Sequence, residues 1–82
     1  MSVENVTVEI ATPKGMFTAE FPKTAKVEDV IQAAAEDKGL NRSDGLELIH
    51  NGTTLEPVER TLVSFGLEGT VSLELVAQGS GV

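Results

Sequence analysis

The sequence has no cysteine, a single histidine, and only six basic residues against thirteen acidic ones. Each shortage removes a class of chemistry. Without Cys there is no disulfide, zinc–thiolate site or thiol nucleophile, and the chain is indifferent to the redox state of its compartment. His50 is the only imidazole, so a metal site would have to be completed by carboxylates, and a structural or surface role is expected instead. Ser64, Ser72 and Ser80 have no base aligned with them by sequence logic, which argues against nucleophilic catalysis. Gly66-Leu67-Glu68-Gly69 lacks the Lys-Ser/Thr pair and the strand-to-helix setting of a phosphate loop. No apolar run approaches the roughly 20 residues of a bilayer span, and Met1-Ser2-Val3-Glu4-Asn5 has neither the basic nor the apolar region of a secretory leader. The expectation is a soluble, cytoplasmic, non-enzymatic protein with no cofactor and no metal.

The formal charge of −7 repels polyanions and anionic leaflets, so neither nucleic acid nor membrane is expected as a partner. Acidity favours solubility and steering toward a basic protein surface, and it is equally what a solvated exterior gives. At 82 residues the chain is one small domain, with no repeat, linker or low-complexity segment, and is read as a monomer.

Val6, Val8 and Ile10 alternate with Thr7, Glu9 and Ala11, the period of a strand with one face on a core, over about residues 4–11. Thr12-Pro13-Lys14-Gly15 supplies turn chemistry before Phe17, Ala19 and Phe21 alternate again, which makes a β-hairpin ended by Pro22-Lys23-Thr24. Val27, Val30, Ile31 and Ala34 then recur at helical spacing, predicting a helix over residues 27–38 closed by Gly39. Glu28 and Asp29 fall in its first turn and Lys38 in its last, as the macrodipole favours, and Thr24 is the best capping side chain nearby. Glu36 and Asp37 complete a solvated charged face.

Asn41-Arg42-Ser43-Asp44-Gly45 is a polar turn, after which Leu46, Leu48 and His50 alternate with Glu47 and Ile49 as a third strand. Asn51-Gly52 is the strongest short-range turn signal in the chain. A short fourth strand is expected around Thr54-Leu55. From Glu56 to Gly69 the apolar residues Leu62, Phe65 and Leu67 fit neither period, which predicts a loop with one helical turn. Val71, Leu73 and Leu75 mark a last strand over about residues 70–76. The fold class is α+β: β-β-α-β-β-β, a mixed sheet packed on one central helix. A domain over residues 1–76 is followed by a tail, residues 77–82.

Segments along the chain carry a resemblance. "KVEDVIQAAAEDKGL", "LELIHNGTTLE" and "RTLVSFGL", with the hairpin turn before them, resemble the ubiquitin-like β-grasp family in the same order over Val6 to Leu75. The resemblance implies a partner-binding patch on the sheet face opposite the helix, anchored at Ile49. Around it the family's neighbouring apolar position on the last strand is Glu74 here, its companion His is Ser72, and its loop position is near Pro13; Glu47 completes the candidate patch. The position of the family's main chain-forming Lys is Thr53, and the lysines present are Lys14, Lys23, Lys26 and Lys38.

Modifiers and sulfur carriers of this family end in Gly-Gly, whose carboxylate is adenylated and passed on as a thioester or thiocarboxylate. This chain reads Gly79-Ser80-Gly81-Val82. Activation of the tail Gly79, Ser80, Gly81 by a partner activating enzyme then requires that Val82 be accepted or removed by a processing peptidase, because a side chain hinders entry to a narrow channel. The resemblance leaves two functions open. One is a protein modifier, activated for conjugation or sulfur transfer; the other is a non-covalent module docking through the sheet face on an enzyme or secretion complex. The same pattern would arise in a domain taken from a longer protein.

Overall fold

Alternation along the strands and the helical stripe meet in one apolar core. The computed structural model describes residues 5–40 and 45–77. Its elements are β1 (Asn5–Thr12), β2 (Gly15–Pro22), α1 (Val27–Lys38), β3 (Leu46–His50), β4 (Thr53–Thr54) and β5 (Gly69–Ala77). The five strands form one sheet in the order β2-β1-β5-β3-β4. β1 is antiparallel to β2 and parallel to β5, while β3 is antiparallel to both β4 and β5. The expected β-β-α-β-β-β order and mixed sheet are therefore present, although the polar turn 41–44 lies outside the described residues.

The helix lays Val27, Val30, Ile31 and Ala34 on the inner sheet face, against Val6, Val8 and Ile10 of β1, Leu48 of β3, and Leu73 and Leu75 of β5. Leu55, Leu62 and Leu67, from the irregular segment, close the same core. Among the described residues no polar or charged residue is buried, so the interior has no unpaired group to compensate and its stability rests on apolar burial.

The turns follow from residue chemistry. Thr12 Oγ1 donates to the Gly15 carbonyl at 2.6 Å and accepts from the Lys14 N–H at 3.0 Å, which ties the β1–β2 turn. Asn51 (φ 53°) and Gly52 (φ 79°) both take the left-handed conformation between β3 and β4, as a two-residue primed hairpin turn demands. Gly39 (φ 69°) closes α1, with the Leu40 N–H donating to the Ala35 carbonyl at 2.8 Å, a left-handed cap that a Cβ would disfavour.

Several boundaries differ from expectation. β1 is Asn5–Thr12 rather than residues 4–11, because Thr12 still pairs with Gly15 across the hairpin. The short strand β4 is Thr53–Thr54 rather than Thr54-Leu55, because Leu55 turns inward to the core at 4% exposure. β5 runs one residue further at each end than residues 70–76. The helix N-cap is Lys26, not Thr24. Its N–H donates to the Asp29 carboxylate at 3.1 Å, and the N–H groups of Val27 and Glu28 donate to the carbonyls of Arg60 and Val58 at 3.0 and 2.9 Å. The helix start is thus satisfied by Asp29 together with a distant segment, and no cap from Thr24 is needed. That segment also returns two bonds: Leu62 N–H to Ala25 O at 2.8 Å and Val63 N–H to Lys23 O at 3.0 Å. The expected single helical turn within it is a 3-10 turn, Val63–Phe65.

Two stability contrasts test this architecture by urea unfolding. Leu62→Ala, at a fully buried position, should cost about 2–5 kcal/mol, whereas Val63→Ala next to it, 46% exposed, should stay within about 0.5 kcal/mol. Asp29→Ala should cost about 1 kcal/mol by freeing the Lys26 N–H, while Thr24→Ala should change stability by less than about 0.5 kcal/mol. Equal costs for the last pair would return the cap to Thr24.

Candidate functional site

Because the inner sheet face takes every second residue for the core, the remaining strand residues point away from the helix. The pairing register assembles them into rows. One row crosses the whole sheet: Met16 lies opposite Ala11, Ala11 opposite Glu74, Glu74 opposite Ile49, and Ile49 opposite Thr54. With adjacent strands about 4.8 Å apart, Met16 and Ile49 stand roughly 14 Å from each other. Met16 is 57% exposed, the most open large apolar side chain among the described residues. Ile49 is half-buried rather than fully exposed, since strands on both sides crowd it.

The other candidate residues distribute around this row. Glu74 is exposed and is the direct cross-strand neighbour of Ile49. Glu47, half-buried, lies opposite Val76 on the same face. Ser72 is paired with Glu9, one outward position further along. Pro13 sits exposed in the β1–β2 turn, and it is Ala11 and Met16 rather than Pro13 that border a groove of about 360 Å³ shared with Ile49, Ser72 and Glu74. Thr53 is exposed at the start of β4.

Val76 is the residue that the sequence reading missed. It is half-buried on the outer face, one outward position from Glu74, and adds an apolar neighbour beside Ile49. The signal was present, since the alternation that sends Val71, Leu73 and Leu75 inward sends Ser72, Glu74 and Val76 outward.

Charge is segregated across the sheet. The strands carry Glu9, Glu20, Glu47 and Glu74 and no Lys or Arg. All four carboxylates occupy outward positions, because each neighbours core-directed residues on its strand. The cations lie elsewhere. Lys14 is in the hairpin turn, Lys23 and Lys26 precede α1, and Lys38, in its last turn, pairs with Asp37 at 3.7 Å. Arg60 stacks over the Phe65 ring at 4.6 Å and donates to the Ser64 carbonyl at 3.0 Å. A second groove of about 310 Å³ lies at the far end of the sheet, between the start of β1 and residues 63–69.

His50, the only histidine, is half-buried at the end of β3. Among the described residues no three His, Asp or Glu side chains stand close enough to hold a metal ion, and no helix is long and apolar enough to cross a membrane. The candidate tail residues Gly79, Ser80 and Gly81 lie outside the described residues. The strand that leads to them is central in the sheet, and its last described residue, Ala77, is paired with Leu46. That point is about 10 Å along the strand from Glu74.

No protein-family model matches the sequence, and no curated protein matches it either. Solved structures do match in shape. The ubiquitin of Caldiarchaeum subterraneum is 21% identical, with 95% of this chain and 99% of that chain covered at a TM-score of 0.79. The ubiquitin-like domain of an Arabidopsis thaliana protein is 18% identical over 95% of this chain and 82% of its own, at a TM-score of 0.81. A protein designed de novo on the basis of ubiquitin is 26% identical, with coverage of 95% and 94% and a TM-score of 0.79. The chain has the ubiquitin-like β-grasp fold.

Proposed function

We propose that this protein is a ubiquitin-like modifier: partner proteins hold it by the outer sheet face around Ile49, and an activating enzyme uses the glycine tail that follows β5. The observation that carries the reading is the position of β5. As a central strand it contributes Glu74 and Val76 to the outer face and ends, at Ala77, two residues before Gly79-Ser80-Gly81 in the sequence, so an enzyme gripping that face has Ala77 within about 10 Å of Glu74. In the chemistry this implies, the Gly81 carboxylate attacks the α-phosphorus of ATP and expels pyrophosphate. A cysteine thiolate of the enzyme then displaces AMP from the acyl adenylate to give a thioester; a sulfur donor in that place gives a thiocarboxylate. A processing peptidase removes Val82 first, because the acyl carbon must sit in a channel that admits glycine.

A second reading, docking without tail chemistry, is favoured by Ser80, which stands where a modifier has its penultimate glycine. The outer row from Met16 to Ile49 serves it unchanged. As a protein held and passed on by others, the chain would contribute no catalytic group of its own.

Two measurements separate these readings. Protein ending at Gly81 should support ATP–pyrophosphate exchange with the activating enzyme of its native host and form a thioester visible by intact mass, and the form retaining Val82 should not. Failure of both forms would end the modifier reading. In the same assay Ile49→Asp should raise KM about tenfold or more with kcat little changed, as loss of an interfacial apolar anchor does. Under docking alone, deleting residues 78–82 should leave association with the host partner unchanged in titration calorimetry, while Ile49→Asp abolishes it.

A further inference from the structure

The row across the outer face is apolar at Met16, Ala11 and Ile49 but carries Glu74 between Ala11 and Ile49. Glu9 precedes Ala11 by one outward position on β1 and is paired with Ser72, which makes it a diagonal neighbour of Glu74, about 8 Å away between backbones from the strand spacing and the rise of two residues. Both carboxylates border the groove of about 360 Å³ that also takes in Met16 and Ile49. Among the described residues, neither the Glu9 nor the Glu74 carboxylate has a hydrogen-bond or ion-pair partner, and the strands offer them no cation.

In the free protein this arrangement is tolerable, because water reaches both carboxylates. A partner that covers Met16 and Ile49 expels that water. A wholly apolar surface would leave Glu74 charged and uncompensated beneath it, which is strongly unfavourable. A partner with a guanidinium or ammonium group between two apolar side chains would bury the same area with the charge matched. Arginine fits best, since its planar fork can bridge carboxylates and its stem packs on apolar neighbours. The backbones of β1 and β5 are already hydrogen-bonded on both sides, so the partner reaches this row through side chains alone. An amphipathic helix presents residues i, i+4 and i+8 along about 12 Å, close to the spacing of the row.

We infer that the outer-face groove selects an amphipathic helix bearing an arginine at the centre of its apolar stripe, with Glu74 and Glu9 taking the cation and Met16 and Ile49 the flanking apolar side chains. The inference rests on the docking face proposed above and adds the chemistry of its partner. Glu74 is the specificity-determining residue. It attracts a basic helix and rejects the apolar one that the rest of the row would accept.

The test titrates the isotopically labelled full-length protein with two synthetic helical peptides, each with Leu at i and i+8, that differ only in Arg or norleucine at i+4. The Arg peptide should shift the amides of Met16, Ala11, Glu74 and Ile49 and bind at least tenfold more tightly, with that advantage shrinking as salt is raised. Glu74→Gln should remove most of the advantage, and Glu74→Arg should reverse it toward a peptide with Glu at the centre. Equal or tighter binding of the norleucine peptide at the same amides would overturn the charge selection and leave the docking face standing. Face amides unmoved by either peptide would overturn both, and concentration-dependent broadening of them in the protein alone would assign the face to a second copy instead.

Discussion

Everything in this molecule depends on one contact, the apolar stripe of α1 against the inner face of the sheet. Val27, Val30, Ile31 and Ala34 require a surface to cover, and the alternating strands provide it in Val6, Val8, Ile10, Leu48, Leu73 and Leu75. Fully burying a residue of this size contributes about 1.5–3 kcal/mol, and among the described residues no buried charge works against it. The same requirement determines the opposite face. Once every second residue of a strand is committed inward, the composition of the outer surface is fixed residue by residue, and the strand carboxylates all fall there. The make-up of the outer face is thus a by-product of the core.

The segment between β4 and β5 has an equally definite part despite having no regular period. Its carbonyls at Val58 and Arg60 take the first N–H groups of α1, and its amides at Leu62 and Val63 bond back to Ala25 and Lys23. Leu62 and Leu67 anchor it in the core, and within it Arg60 stacks on Phe65. The helix start and this segment therefore form one hydrogen-bonded unit across a large sequence separation. A Glu56–Pro57 cis peptide lies at its entry.

Elements with a strong period or a definite turn residue were legible in the sequence. The helix has the predicted limits Val27–Lys38, since its stripe is regular and Gly39 stops it, and Asn51-Gly52 fixes the second hairpin. What escaped was non-local. The capping of α1 by Val58 and Arg60 leaves no local signature, so Thr24 looked like the better cap. Leu55 reads as part of a strand until the core that draws it inward is in place. Val76 stands out less, because the inward residues Val71, Leu73 and Leu75 dominate the pattern of the last strand. The row from Met16 to Ile49 could not be read from any one strand, because it exists only through the register of β2, β1, β5 and β3. The tail residues Gly79, Ser80 and Gly81 were legible only as chemistry.

One feature of the pairing reaches into how the chain is made. β1 leaves a ribosome well before β5 does, yet the two are joined side by side. The sheet therefore has no middle until synthesis has passed Ala77, and before then the nascent hairpin carries Phe17 and Phe21 with no completed core beneath them. Pairings so distant in sequence are slow to form, and an incomplete sheet leaves apolar surface open to wrong contacts. Closure of the sheet accordingly waits on β5, and the interval between its first strand and its last is when these strands are most in need of protection.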